Sequence, residues 1–472
     1  MSQPHHHTPT PTAVSAPGKV FLAGGYLVLD RGYTGLIFGL DARIHVAIEP
    51  IRTKSGVSLS EIIVRSPQFR EATWEYGYRL TEAGGGIAVY GLRASHDSKQ
   101  SKNPFIETTL TYALTYISTL QPDTPIAPSS ISILADQAYY SNPGTPLSPT
   151  TTSPFLVFPT PLTSAHKTGL GSSAALVTSF TAALLSYYLP PSLFTLSSPS
   201  GKLILHNLAQ AAHCAAQGKV GSGFDIASAV YGSCLYRRFT PSLLSALPSP
   251  GDSGFAGALA ALVAGGTQWD TEIAQQKVKM PRGLRLVMCD VDCGSQTPGM
   301  VKQVLKWRAE NAEDAERLWG EIQKGNDGFA EELTRLATEG EGVVEGAAGK
   351  YGKLAEILER NRVLIREMSV KSGVPIEPPQ QTKLLDACKA LDGVVGGVVP
   401  GAGGYDAIVL LVEDRDEVVE RLRKFLDAWK GTAEEGEGVT IGKVGILGVR
   451  EDMVGVRSED PEGYKEWQAV GA

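Results

Sequence analysis

Lys167–Ala175 reads K-T-G-L-G-S-S-A-A and runs straight into the apolar stretch Leu176–Leu189, so a glycine-serine loop opens onto a helix. The first N–H groups of a helix have no partner within it, and the helix dipole places partial positive charge at that end. Gly169 and Gly171 let the backbone come close to an anion. The stretch therefore predicts a phosphate cradle. A Walker loop would require G-x-x-x-x-G-K-[ST], but each Gly-Lys pair in this chain is followed by Val, Leu or Tyr. The loop does fit the loose G-x-G-x-x-A form of a dinucleotide fingerprint, which expects an acidic residue about 20 positions later. None appears before Asp225. An ordinary tight turn capped by serine stays compatible with the loop taken alone.

Three other segments carry related signals. Ser15–Leu29 reads S-A-P-G-K-V-F-L-A-G-G-Y-L-V-L: Pro17 and Gly18 interrupt a strand-like run, and Lys19 stands alone among apolar residues. A lysine so placed predicts an anion for it to meet. In Gln217–Gly232, Q-G-K-V-G-S-G-F-D-I-A-S-A-V-Y-G, a glycine-rich turn delivers Asp225 to the start of a small-residue helix. An Asp there also serves widely as a structural cap. Val399–Leu411, V-P-G-A-G-G-Y-D-A-I-V-L-L, is a glycine turn feeding a buried strand, compatible by itself with a plain hairpin loop.

A chain of 472 residues exceeds what one core fills, which predicts two domains, 13–270 and 271–472, after a disordered tail at 1–12. The net charge of -7 and pI near 5.7 argue against a nucleic-acid surface. No apolar run reaches the roughly 18 to 20 residues of a membrane span, and the N-terminus lacks the regions of a signal peptide. A cytosolic protein with no membrane partner is expected. Five cysteines without a C-x-x-C pair suit a reducing compartment, with Cys289 and Cys293 read as buried thiols. His5–His7, in a Pro-Thr tail, receive no function. Ser141–Ser164 is too dense in turn residues for regular structure and is expected to be a mobile insertion beside the site. Pro241–Gly266 reads as a linker before a strand at Leu284–Val291. Beyond it, a charged helical stretch from Met300 to Met368 and closing strands around 407–412 and 444–449 predict helices on one face of an antiparallel sheet.

Taken together and in this order, the four segments resemble the GHMP kinase superfamily. Ala212–Asp225 (A-H-C-A-A-Q-G-K-V-G-S-G-F-D), Asn103–Glu107 (N-P-F-I-E) and Gly294–Val301 (G-S-Q-T-P-G-M-V) are similar to its phosphomevalonate kinase family of the fungal type, over nearly the whole chain from about Val14. The resemblance implies an α+β, two-domain fold: an N-terminal ribosomal-protein-like β-α-β domain with ATP in the cleft, and a C-terminal ferredoxin-like domain. It implies ATP-dependent phosphorylation of (R)-5-phosphomevalonate to (R)-5-diphosphomevalonate, with release of ADP, in isoprenoid and sterol precursor synthesis. The implied catalytic residues are Lys19 and Asp225. Lys167, Gly169, Leu170, Gly171, Ser172, Ser173 and Ala174 are expected to hold ATP, with Asn103 and Glu107 nearby, and Ser173 to ligate Mg²⁺. Lys167, Ser295, Gln296, Thr297, Gly403 and Gly404 are the expected acceptor contacts. The expected partners are these small molecules alone, on a monomer or weak homodimer.

The implied acceptor has chemical consequences. A phosphate monoester has a second pKa of about 6, so its nucleophilic oxygen is largely deprotonated at neutral pH. Two polyanions must approach each other, and cationic screening matters more than a base, so Lys19 is expected to outweigh Asp225. An opposite charge on Lys19 would keep Asp225 ionised. Sister kinases acting on alcohols often carry a metal-binding Glu about three helical turns before the Asp; His213 and Cys214 stand in that region here, leaving a second protein ligand for Mg²⁺ open. The alternatives are a superfamily kinase acting on an alcohol, such as mevalonate kinase, and a catalytically silent ligand sensor. Retention of both Lys19 and Asp225 argues against the sensor.

Overall fold

The computed structural model describes residues 8–51, 60–92, 102–141, 144–146, 154–265, 269–291, 299–339, 347–430 and 441–470. The first half contains β1 (Thr12–Ala23), β2 (Gly35–Pro50), β3 (Glu61–Arg65), β4 (Thr73–Leu80), β5 (Ile87–Gly91), α1 (Pro104–Leu120) and β6 (Ser129–Ala135). Then come β7 (Thr145–Pro146), β8 (Leu156–Val157), α2 (Ser172–Tyr188), α3 (Pro199–Gln217), α4 (Phe224–Tyr231), β9 (Cys234–Arg237), α5 (Ser242–Ser245), α6 (Phe255–Ala264) and β10 (Glu272–Ala274). The second half holds β11 (Leu284–Val291), α7 (Met300–Glu310), α8 (Ala312–Thr338), α9 (Ala347–Lys350), α10 (Gly352–Ser372), α11 (Pro379–Lys389), β12 (Val394–Val398), β13 (Ala407–Glu413) and α12 (Asp416–Ala428). β14 (Val444–Ile446), β15 (Glu451–Asp452), β16 (Arg457–Glu459) and α13 (Lys465–Gln468) close the chain.

A ten-stranded sheet runs β10-β9-β2-β6-β3-β4-β5, with β1 and β15 also on β2 and β16 on β1. Its central strand, β2, alternates: Leu36, Phe38, Leu40, Ala42, Ile44, Val46 and Ile48 face a core shared with α1, α2 and α3. The helix after the phosphate loop, α2, is apolar on nearly all sides and packs against β1, β2, α1 and α3, so its N-terminus is held at a fixed place on the sheet. β1 continues through Pro17 and Gly18 with a register shift between them instead of breaking there.

The second sheet has the order β12-β13-β11-β14, all antiparallel, and with its helices forms the β-α-β-β-α-β ferredoxin-like pattern. Its helices cover both faces, not one. Val287, Cys289, Ile408, Leu410 and Val412 pack on α11 and α12, while Leu284, Leu286, Met288, Val409 and Leu411 join the large core with Phe329, Leu354 and Leu358. Near-continuous apolar strands such as β11 are what a sheet buried on both sides requires.

Three organisational expectations are corrected. Within the expected insertion, β7 and β8 form a short antiparallel ladder, and Phe155 and Phe158 are buried. The expected linker at 241–266 folds as α5 and α6, with Phe255, Leu259 and Val263 inside the core against α1 and α3. The two sheets do not divide the chain at residue 270: β10 still pairs with β9, and β15 and β16 return to β2 and β1. Arg43 fastens that return, with its guanidinium on Ser15 Oγ (2.7 Å), the Asp452 carboxylate (3.0 Å) and the Gly455 carbonyl (2.6 Å). His5–His7 and Cys293 lie outside the described residues; Cys289 is a buried free thiol.

Candidate active site

The phosphate loop docks edge-on against β1. The Lys19 backbone N–H donates to the Leu170 carbonyl at 2.9 Å, and Lys19 Nζ donates to the Gly169 carbonyl at 3.3 Å. Gly171, at φ 80°, is the N-cap of α2, and a Cβ there would lie 3.0 Å from Lys19 Cγ and Cε. Glycine is therefore required at this point both by conformation and by the lysine stem beside it. No side chain caps α2. The serine-capped turn is thereby excluded, and the helix's leading N–H groups have no side-chain acceptor. Leu170 and Ala174 are buried beneath the loop, and Ser172 and Ser173 sit half-buried at its lip.

A cavity of about 100 Å³ opens on one side, lined by Trp74, Asn103, Phe105, Tyr140, Lys167, Ser172 and Ser173 among others. Asn103 caps α1, accepting from the Ile106 N–H at 3.3 Å, so the N-P-F-I-E motif starts a helix at the cavity wall. Glu107 lies one turn further along and does not line the cavity; burial pushes its carboxyl above the usual carboxylate range. Lys167 is bridged to Tyr140, which fixes it on this side of the loop. Its side chain is exposed, while the protein around its ammonium lowers the pKa by desolvation.

A second cavity, of about 220 Å³, is lined by Tyr26, His213, Gln217, Lys219, Ser222, Asp225, Gly401 and Ala402 among others. Asp225 is in the first turn of α4 but is not its cap; that position is Gly223, at φ 85°. One Asp225 oxygen accepts from the Ile226 N–H at 3.0 Å and the other lies 3.8 Å from His213 Nε2. His213, on α3 and stacked on Phe105, brings the same nitrogen to 3.1 Å from Ser173 Oγ and 3.2 Å from Gln217 Nε2. In the Nδ1-protonated tautomer Nε2 accepts, and its single lone pair is shared between the Gln217 amide and the Ser173 hydroxyl. The imidazole thus spans the partition between the cavities. Lys19 Nζ lies 5.8 Å from the centroid of the Phe224 ring, which lines the larger cavity. Burial pulls its ammonium below the ordinary lysine range, and the Asp225 charge pulls the other way.

The sequence expectations map onto this geometry unevenly. Lys19, Gly169, Leu170, Gly171, Ser172, Ser173 and Asp225 converge. Lys167 lines the smaller cavity and not the larger one. Gly403 is packed on Ile376, whose carbonyl oxygen would be 2.2 Å from an added Cβ, and the Gly404 N–H donates to that carbonyl at 3.0 Å. Their neighbours Gly401 and Ala402 line the larger cavity instead. Ser295, Gln296 and Thr297 lie outside the described residues. Lys219, in the same glycine-rich turn that presents Asp225, also lines the larger cavity, a cation that its local sequence does not single out. Among the described residues no group of three or more His, Cys, Asp or Glu side chains could hold a metal ion, and no helix is long and apolar enough to cross a membrane.

The GHMP kinases N terminal domain matches residues 159–233 and the GHMP kinases C terminal family matches residues 343–430. The chain is 52% identical over 458 residues to the phosphomevalonate kinase of Gibberella zeae, covering 96% of this chain and 98% of that one. It is 46% identical over 493 residues to that of Aspergillus fumigatus, covering 97% and 99%. A relative from Arabidopsis thaliana, named a peroxisomal phosphomevalonate kinase, is 31% identical over 84% of this chain and 88% of its own. Among solved structures, the Streptococcus pneumoniae phosphomevalonate kinase in complex with phosphomevalonate and AMPPNP superposes with a TM-score of 0.56 at 19% identity, over 87% of this chain and 95% of that one. That likeness shows a shared fold, and the near full-length fungal identities show the closer kinship. The chain belongs to the GHMP kinases and, within them, to the phosphomevalonate kinase family.

Proposed function

We propose that this protein transfers the γ-phosphoryl group of ATP to the phosphate of (R)-5-phosphomevalonate, yielding (R)-5-diphosphomevalonate and ADP. The observation that carries the reading is the 3.1 Å contact between Ser173, which lines one cavity, and His213, which with Asp225 lines the other, beside Lys19 and an uncapped helix N-terminus. The smaller cavity, with Trp74 and Tyr140, takes the nucleotide base, and the leading N–H groups of α2 take its phosphates. The larger cavity takes the acceptor, with exposed Lys219 at its wall as a counter-charge for the acceptor's phosphate.

An oxygen of the acceptor phosphate attacks the γ-phosphorus, and the bond to the β-phosphate bridging oxygen breaks, leaving ADP. At neutral pH that nucleophile carries little proton, so no base has to remove one. Lys19, held by Gly169 and backed by Gly171, neutralises charge building on the transferred group. Asp225 orients groups at the acceptor side and sustains the charge on Lys19. Ser173 fits a magnesium ion, because a hydroxyl that donates to His213 keeps its lone pairs for a cation, and magnesium typically takes few protein ligands beside water and phosphate oxygens. When bound, the ion would supply charge neutralisation on the β- and γ-phosphate oxygens. Four free buried cysteines support a reducing, cytosolic setting, and the expected assembly is a monomer or weak homodimer, which sedimentation would check.

A coupled ADP-release assay with Mg²⁺-ATP tests the reading by offering 5-phosphomevalonate and mevalonate side by side. Turnover of the phosphorylated acceptor alone is expected. Turnover of mevalonate, or silence with both, overturns it.

A further inference from the structure

The end of β1, the strand that carries Lys19, turns sharply through Gly24, Gly25 and Tyr26. Tyr26 has φ 63° and ψ -46°, and the Leu27 N–H donates to the Gly25 carbonyl at 2.8 Å, a three-residue γ-turn of the rarer, strained hand. A non-glycine residue keeps such a conformation only where its surroundings over-determine it. Two contacts here do so. The Tyr26 hydroxyl donates to the Ala402 carbonyl at 2.6 Å, and a Cβ on Gly25 would lie 2.4 Å from the Gly401 carbonyl oxygen. The turn at 400–404 is fastened from behind as well, through Gly404 on the Ile376 carbonyl. Gly25 and Tyr26 from the first sheet, with Gly401 and Ala402 from the second, together line the larger cavity that Asp225 faces.

We infer that Tyr26 is a positioning residue for the acceptor: its hydrogen bond to Ala402 sets the spacing between the strand bearing Lys19 and the glycine turn that closes the acceptor cavity. This rests on the reading of that cavity as the acceptor pocket. Tyr26 acts through the wall it fixes, and its phenol, 4% exposed, serves as a strut. A strut of this kind affects alignment of the acceptor and leaves the nucleotide cavity alone, since Tyr26 does not line the latter.

Tyr26→Phe keeps the ring and removes only the hydrogen bond. In steady-state kinetics it should lower kcat/KM for 5-phosphomevalonate by roughly 5- to 10-fold, the scale of one lost hydrogen bond, with KM for ATP within about twofold of wild type. Gly25→Ala, which wedges against Gly401 without touching the phenol, should give the same split. The double variant should lose less than the product of the two single losses, because both relax one contact. Equal changes in both substrates' kinetics, unchanged acceptor kinetics in Tyr26→Phe, or a fully multiplicative double variant would overturn the inference. An inactive wild-type protein would overturn the functional reading itself, and the inference with it; an active wild type with an indifferent Tyr26→Phe removes the inference alone.

Discussion

The Ser173 hydroxyl lies 3.1 Å from His213 Nε2, so the helix that starts at the glycine-serine loop is tied to one that lines the larger cavity. In the Nδ1-protonated tautomer the imidazole accepts from Ser173 and orients the lone pairs that a magnesium ion would use. His213→Phe preserves the stacking on Phe105 and removes the acceptor. The Mg²⁺ concentration for half-maximal rate should rise about tenfold or more, as for loss of an outer partner of a metal ligand. A magnesium titration at fixed ATP checks this, and an unchanged midpoint would show that the contact does not orient Ser173.

Lys19→Ala should reduce turnover by roughly 10²- to 10³-fold, the effect of losing one preorganised charge at the transition state. Asp225→Asn should cost less, because the acceptor oxygen is already deprotonated. Gly171→Ala should resemble a partial loss of Lys19, since its Cβ would press on the lysine stem and its φ of 80° disfavours any side chain. Single-turnover rates on the three variants set the order, and a larger loss in Asp225→Asn than in Lys19→Ala would contradict the mechanism.

Lys219→Ala and Lys167→Ala should separate the two substrates. Loss of Lys219 should raise KM for 5-phosphomevalonate several-fold while ATP is little affected, and loss of Lys167 should do the reverse, following the cavity each lines. Identical effects on both substrates from either variant would argue that the cavities are not divided between nucleotide and acceptor.

Glu332 offers a pH test far from the site. Hydrogen bonds from Arg335, and then Lys353, hold its carboxyl at about 2 against the 4.5 of a free glutamate, although burial opposes this. The folded-state pKa is depressed, so the stabilisation is fully present above pH 4.5 and is lost as pH falls through about 2. Thermal midpoints of wild type and Glu332→Gln should therefore converge as pH is lowered across that window. Parallel curves would assign the acid sensitivity to other carboxylates.

Much of the site was legible because its parts are local. The glycine-serine loop before α2, Lys19 in an apolar strand and Asp225 at the start of α4 each announce themselves within a dozen residues, through glycine placement and a charge out of context. The strands at 284–291 and 407–413 were equally plain as apolar runs. The segment at 241–266 reads as a linker because its Pro and Gly density hides the short apolar face of α6, which only acquires meaning against α1 and α3.

By itself, the order of residues determined that a glycine-serine loop would open onto the N-terminus of an apolar helix, and that Asp225 would start another helix, since helix capping and glycine conformation act over neighbouring residues. Tertiary structure alone decided which cavity Lys167 and Lys219 line, that His213 bridges Ser173 and Asp225, that Gly401 and Ala402 rather than Gly403 and Gly404 line the larger cavity, and that residues 451–459 return to the first sheet. Those facts depend on contacts between residues far apart in the chain, where one register or one packed face chooses among partners of equal local chemistry.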